Sequence, residues 1–180
     1  MQGDNVLIIK RKVKYPRIEL KTGVPMLILP QNSNFCADEI LQKHREWINQ
    51  KLEFIKKIEE KYKNQKIYTR SNNDFIKLVT NLIDESAIVL GKKPSKIIFR
   101  YMKTKWASCS QQGKITFNLM LKYLPPRLIR YVVFHEMVHL LVPNHKQNFW
   151  DIIKKQFKNS NQYEEQLFGY WFLLQNQELN

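Results

Sequence analysis

The stretch HEMVHLLVPNH, residues 135–145, decides how this chain is interpreted. His135 and His139 are four residues apart and lie on one face of a helix, so both imidazoles can bind a single zinc ion. Glu136, beside the first histidine, can hold and deprotonate a metal-bound water. His145 supplies a third protein ligand and leaves the fourth position open, as a catalytic zinc site requires. Three of the four histidines in the chain lie in these eleven residues, and the pattern predicts zinc-dependent hydrolysis.

The flanking residues predict that the first part of this stretch lies on a buried helix. The preceding segment LIRYVVF, residues 128–134, is apolar with few breaks, and Pro125-Pro126 are typical of a helix start. Pro143 stops the helix, and the turn can bring His145 back toward the metal. Histidines buried without a metal would leave ring nitrogens unpaired, which is unfavourable. The context therefore favours metal binding.

The third ligand has alternatives in the sequence. The histidine spacing equals that of metzincins, but their pattern has a glycine where this chain has Val142, and no methionine follows Met137 to form their Met-turn. Other zincins take a glutamate from a later helix, for which Glu164 and Glu165 are available. Both glutamates stand in a polar stretch that is typical of a solvated helix start. His145 is the favoured ligand, and the glutamates stay open as alternatives.

Further motifs on both sides of this helix resemble those of a known protein family. WASCS at 106–110, GKITFN at 113–118, the HExxH helix and the later pairs Asn144-His145 and Phe149-Trp150 resemble the YgjP-like metallopeptidase domain. That family is related to the SprT and Wss1-type zincins. This chain has Ala107 where the family usually has a glycine.

This resemblance implies His135, His139 and His145 as zinc ligands, Glu136 as catalytic base and a peptide or protein as substrate. Phe149 and other apolar residues of the following helix are expected to pack against the metal helix and hold the third histidine in place. Cys109 is expected to be a small buried residue at a strand end rather than a thiolate ligand.

The fold class expected from these patterns is α+β, a small zincin-like domain with N-terminal strands, long helices, a short antiparallel sheet and the HExxH active-site helix. Residues 1–180 are expected to form a single domain. Alternating patterns predict a hairpin of strands 17–20 and 24–29 around a turn at Lys21–Gly23. Three later strands are predicted at 96–101, 103–108 and 114–117, and the third is the candidate edge strand for pairing with a peptide substrate.

Helical periodicity predicts four more helices besides the HExxH helix. The first spans about 38–62 and has His44 on its apolar stripe as a packed core histidine. The second spans about 74–90, with the segment Ser71-Asn72-Asn73 capping its start and Gly91 at its end. The last two span about 146–157 and 162–175.

The charge distribution indicates a possible anionic partner. The net charge is +14, and no acidic residue lies between Glu85 and Glu136, whereas ten basic residues do. Such a segment is consistent with a nucleotide or nucleic acid at a basic face, and also with plain solubility. The two cysteines form no disulfide framework, and no segment has the pattern of a signal peptide or a membrane span, so a cytoplasmic location without membrane attachment is expected.

Two other functions remain open beside peptide hydrolysis. One is a metal-dependent nucleotide phosphohydrolase, a nucleoside triphosphate pyrophosphatase, although no glycine-rich phosphate loop is present. The other is a nucleic-acid-associated SprT-like protease. The donor that stabilises the oxyanion is not identified either, and Lys105, Arg100 and Tyr123 are candidates.

Overall fold

A computed structural model describes residues 6–20 and 23–175 of the chain. In that part the fold is α+β, with six α-helices and two three-stranded sheets, which confirms the predicted fold class. Each sheet has one parallel and one antiparallel pair, so the expected short antiparallel sheet is in fact mixed. The chain divides into two compact units, Met1–Lys63 with Trp171–Asn180, and Asn64–Tyr170.

The first unit contains the N-terminal sheet. Its strands are β1 (Leu7–Arg11), β2 (Arg17–Glu19) and β3 (Met26–Pro30), in the order β1-β3-β2. The central strand β3 is the buried one, with Leu27 and Ile28 fully inaccessible to solvent. The predicted hairpin is confirmed by the antiparallel pairing of β2 with β3. Within its predicted turn, Lys21 and Thr22 lie outside the described residues, and Gly23 has a φ of 79°.

The predicted helix over 38–62 is wrong at its N-terminal end. It consists of α1 (Ala37–Lys43) and α2 (Arg45–Tyr62), separated at His44, whose φ and ψ of −105° and 9° leave the helical region. Because the chain changes direction there, His44 does not continue the apolar stripe of α2. Its side chain is exposed, so the predicted core histidine is also wrong.

In the second unit, α3 (Asn72–Leu90) begins two residues before the predicted start, within the predicted capping segment, and ends where predicted. The Ser71 hydroxyl accepts a hydrogen bond from the backbone N–H of Asp74 at 3.1 Å and caps the first turn. Gly91 ends the helix at a φ of 65°, a left-handed conformation that side chains with a Cβ disfavour. The buried face of the helix carries Phe75, Val79, Leu82 and Ile83.

The second sheet contains β4 (Lys96–Arg100), β5 (Ala107–Cys109) and β6 (Lys114–Asn118), in the order β4-β6-β5. The prediction that the third of these strands is an open edge is wrong, because β6 pairs on both sides. The strand beside the metal helix is instead β5. It is also shorter than predicted, since its N-terminal neighbours form a loop.

That loop is held by one buried side chain. Asn118, which has no exposed surface, donates through Nδ2 to the carbonyls of Met102 at 2.7 Å and Lys105 at 2.8 Å. Its Oδ1 accepts from the backbone N–H of Met120 at 3.1 Å and caps the 3-10 helix that follows, Leu119–Tyr123. The amide therefore connects β6, the loop and the next turn.

The remaining helices are α4 (Pro126–Val138), α5 (Gln147–Gln156) and α6 (Ser160–Gln175). They agree with the predicted helices to within two residues at most boundaries. Pro126 lies in the first turn of α4, as predicted, but the helix ends at Val138, before Pro143 is reached. No helix among residues 6–20 and 23–175 is both long enough and apolar enough to cross a lipid bilayer.

Replacing Asn118 by Ala should lower the free energy of unfolding by about 2–4 kcal/mol, because the carbonyls of Met102 and Lys105 and one backbone N–H lose their buried partner. Urea unfolding monitored by circular dichroism measures this. Asn72→Ala is the control, since the Asn72 side chain makes its contact with Lys122 at the exposed surface; its loss should stay below about 1 kcal/mol. Similar losses in both variants would contradict the structural role of Asn118.

Candidate metal centre

The three histidines predicted as metal ligands lie together in the structure. His135 lies on α4, and His139, one turn later, is the C-terminal cap of that helix. A short turn then brings His145 back to both of them. One nitrogen of each ring belongs to a cluster whose members all lie within 4.8 Å of one another. The Nε2 atoms of His135 and His145 are 3.0 Å apart. Two nitrogens at about 2.0–2.1 Å from one tetrahedral ion would be about 3.3 Å apart, so the spacing suits a shared ion.

Hydrogen bonds and one aromatic ring hold the histidines in this arrangement. His139 Nδ1 donates to the carbonyl of Val142 at 3.1 Å, which leaves its Nε2 as the bare nitrogen. Trp150 Nε1 donates to the carbonyl of His145 at 3.1 Å. The buried ring of Phe149 lies 4.9, 4.6 and 4.7 Å from the rings of His135, His139 and His145, between centroids. The prediction that α5 holds the third histidine in place is confirmed.

The protonation state of the histidines suits metal binding. Burial, and then the positive charges that His139 and His145 would carry, lower the pKa of His135 to about 3. Burial also lowers the pKa of His139. Both rings are therefore neutral at pH 7 and offer lone pairs. A set of three imidazoles fits a divalent transition metal ion that leaves one position open.

Glu136 is a buried carboxyl beside this cluster. Its Oε2 has no hydrogen-bond partner among the described residues, which is costly for a buried oxygen unless a ligand supplies one. Burial raises the pKa of Glu136 to about 7, although the charge of Lys105 and a hydrogen bond from the backbone N–H of Cys109 act in the opposite direction. The charge of Glu164 adds to the rise.

A cleft of about 1020 Å³ contains this group of residues, and β5 forms one wall of it. The Trp106 carbonyl accepts a hydrogen bond from the backbone N–H of Asn118, and the backbone N–H of Ser110 donates to the carbonyl of Lys114. These even-numbered residues therefore bond toward β6. The intervening residues, Ala107 and Cys109, therefore direct their backbone N–H and C=O groups to the opposite edge. That edge reaches Glu136 through the N–H of Cys109.

The cleft is lined by charged side chains of both signs, three lysines and the two glutamates Glu136 and Glu164. Lys92, Lys93 and Lys105 line it. Among the three residues predicted as possible oxyanion donors, Lys105 lines the cleft, whereas Arg100 and Tyr123 are not part of its lining.

The alternative ligands do not join the histidine cluster. Glu164 lies near it, with Oε1 3.8 Å from His135 Nδ1, and it accepts a hydrogen bond from the hydroxyl of Tyr131 at 2.5 Å. Burial, and next the charge of Glu136, raise the pKa of the Cys109 thiol, which disfavours a thiolate. Tyr131 was not among the predicted site residues, although its position four residues before His135 on one helix face was a usable signal. Its contact with Glu164, 33 residues away, had no such signal.

One sequence-family model matches the part of the chain that contains this site. The sequence profile described as "YgjP-like, metallopeptidase domain" matches residues 59–169, which include β5 and all three histidines. The crystal structure of the metallopeptidase zymogen abylysin from Pyrococcus abyssi is similar at 24% identity and a TM-score of 0.46, over 49% of this chain and 90% of that one.

A second similar structure is the metallopeptidase zymogen jannalysin from Methanocaldococcus jannaschii. It has 24% identity and a TM-score of 0.44, over 49% of this chain and 84% of that one. No curated protein sequence matches the chain.

Glu136→Gln should change how the stability of the metal-free protein depends on pH. A carboxyl whose pKa rises from 4.5 to about 7 on folding stabilises the fold while it is protonated, below pH 4.5, and this contribution is lost as the pH rises through 7. Between pH 4.5 and pH 8 the free energy of unfolding of the variant should therefore rise by on the order of 3 kcal/mol relative to that of the wild type. Urea unfolding across this range measures it, with Glu53→Gln on the exposed face of α2 as control. A difference that is constant with pH would refute the buried-carboxyl assignment.

Proposed function

Because the chain belongs to the YgjP-like metallopeptidase domain family, we propose that it is a zinc-dependent peptidase in which His135, His139 and His145 hold the metal and Glu136 is the catalytic base. The observation that carries the proposal is the convergence of three imidazoles beside a buried carboxylate oxygen that lacks a partner. We further propose that residues 1–180 act as a single domain and that the protein works in the cytoplasm.

Zinc is the proposed metal because three neutral imidazoles with an open fourth position are a common catalytic zinc site. When bound, zinc supplies Lewis acidity that polarises a carbonyl and lowers the pKa of water to about 7. The protein supports this arrangement through the Val142 carbonyl, which selects the tautomer of His139. The buried Phe149 ring packs against all three imidazoles and limits how they can turn.

Glu136 handles the protons in the proposed reaction. Its carboxylate accepts the proton of the attacking water and passes it to the leaving amide nitrogen, so one group acts first as base and then as acid. In the metal-free protein burial raises the pKa of this carboxyl above its usual range, which makes it a stronger base. The backbone N–H of Cys109 orients one carboxylate oxygen, which leaves Oε2 for the water.

The proposed substrate is an extended peptide that pairs with the free edge of β5. Ala107 offers its backbone N–H and C=O on this edge, whereas Cys109 offers only its C=O, because its N–H bonds to Glu136. Pairing there brings the peptide along the cleft that contains Glu136. This proposal replaces β6, which has no free edge. Lys105 is the remaining candidate for the oxyanion donor, because it lines the cleft and its charge acts on Glu136.

The lysines of the cleft favour an anionic substrate. Lys92, Lys93 and Lys105 line the cleft, and their charge would attract acidic peptides. The same charge favours the second candidate function, hydrolysis of a nucleoside triphosphate, by the same metal site. We prefer the peptide because the strand edge offers backbone groups that match a peptide, whereas the phosphates would find no glycine-rich loop.

The protein purified without added metal should contain one zinc per chain, and His145→Ala should lose it, because two histidines alone bind zinc weakly. Inductively coupled plasma mass spectrometry measures the metal content. His44→Ala is the matched control, since it removes the only histidine outside the cluster, and it should retain zinc. Full zinc content in His145→Ala would refute this ligand assignment.

Glu136→Gln should keep the zinc but lower the rate of peptide hydrolysis by about 10²–10⁴-fold, because the amide cannot accept a proton. The assay compares acidic and basic peptides of equal length, casein and a nucleoside triphosphate.

We expect acidic peptides to be cleaved fastest and Lys105→Glu to reduce that preference, whereas Lys56→Glu on α2 should leave it unchanged. Cleavage of the triphosphate alone would replace the peptide proposal with the phosphohydrolase.

A further inference from the structure

The buried Tyr131 and the partly exposed Glu164 are hydrogen-bonded to each other beside the histidine cluster. The proposed reaction does not use this pair. Tyr131 lies on α4 one turn before His135, and Glu164 lies on α6. The Tyr131 hydroxyl donates to Glu164 Oε1 at 2.5 Å, and the same oxygen lies 3.8 Å from His135 Nδ1. One carboxylate oxygen therefore faces both side chains.

The tyrosine is a rigid anchor for this carboxylate. Its side chain has no exposed surface, and its ring stacks on Tyr163 with 4.9 Å between centroids and 13° between planes. The ring of Phe157 meets it edge-on at 5.2 Å. Because these contacts fix the ring, they also fix the hydroxyl, and the hydroxyl limits where Glu164 Oε1 can lie.

The two helical histidines differ in what lies beside their Nδ1 atoms. A metal-binding histidine commonly donates its other ring N–H to a carbonyl or a carboxylate, which selects the tautomer and orients the ring. His139 has such a partner in the carbonyl of Val142. For His135 the polar group in the same position is Glu164 Oε1. At 3.8 Å this contact is longer than a hydrogen bond, and it acts through charge.

We propose that Glu164, held by Tyr131, is a positioning residue for His135: its carboxylate favours the tautomer with the proton on Nδ1 and so directs the bare Nε2 to the metal. The proposal rests on the metal site of the proposed function and deepens it. It also gives the glutamate that the sequence offered as an alternative ligand a different role, as the partner of a ligand.

A purely structural role for the pair would predict something else. In that case the bond between Tyr131 and Glu164 would fasten α4 to α6, and its loss would lower the stability of the metal-free protein without changing the metal affinity of the folded protein. Metal affinity and the tautomer of His135 are therefore the measurements that separate the two roles.

The test measures the zinc affinity of the full chain by competition with a chromophoric chelator at pH 7.5. Glu164→Ala should weaken zinc binding about 10–100-fold, the usual effect of removing an outer partner of a metal ligand. Glu164→Gln retains an oxygen acceptor and should restore part of the affinity. Glu165→Ala, at the neighbouring position of the same helix, is the matched control and should bind zinc as the wild type does.

Two further measurements make the result independent of folding defects. Tyr131→Phe keeps the ring packing but removes the donor, so it should weaken zinc binding less than Glu164→Ala does. Nitrogen-15 spectra of the zinc-bound protein should show the Nδ1–H of His135 in the wild type, and a weakened or shifted signal in Glu164→Ala.

The outcomes separate this inference from the function on which it rests. Wild-type affinity in Glu164→Ala, with zinc lost in His145→Ala, would overturn the positioning role and leave the metal site intact. If the wild-type protein binds no zinc, both the metal site and the positioning role are wrong.

Discussion

The contact of one phenylalanine ring with three imidazoles is the constraint on which the site depends. Phe149 is fully buried, and its ring lies within 4.9 Å of all three histidine rings, between centroids. Since His135 and His139 belong to α4 and Phe149 belongs to α5, the ring ties the two helices together. The turn between them must then be short and must return His145 to the cluster. A smaller side chain at 149 would leave a cavity beside every proposed ligand.

The neighbouring carboxyl shows how the fold sets the chemistry of the site. Glu136 follows His135 on α4, a helix whose residues are mostly buried. Burial of the carboxyl raises its pKa to about 7. One oxygen is held by the N–H of Cys109, while the other has no partner among the described residues. The protein therefore bears an energetic cost in its metal-free state, and the proposed water and metal would offset that cost.

The order of strands in the second sheet determines which strand has a free edge beside the cleft. The central strand β6 uses both of its edges for β4 and β5, and Asn118 at its end holds the loop that leads into β5. β5 is thereby placed beside α4 with its outer edge toward the cleft. The same short strand contributes the N–H that orients Glu136, so substrate pairing and the position of the proposed base are coupled through three residues.

The features that depend on local spacing could be predicted from the residues alone. The HExxH helix, its proline start, the cap at Ser71 and the left-handed end at Gly91 follow from residues within a few positions of one another, where helical geometry dictates which side chains meet. Tertiary structure alone decided the strand order, the exposure of His44 and the approach of Glu164 to His135. These depend on hydrogen-bond pairing and packing between distant segments, and periodicity carries no information about which distant partner a strand or a side chain will meet.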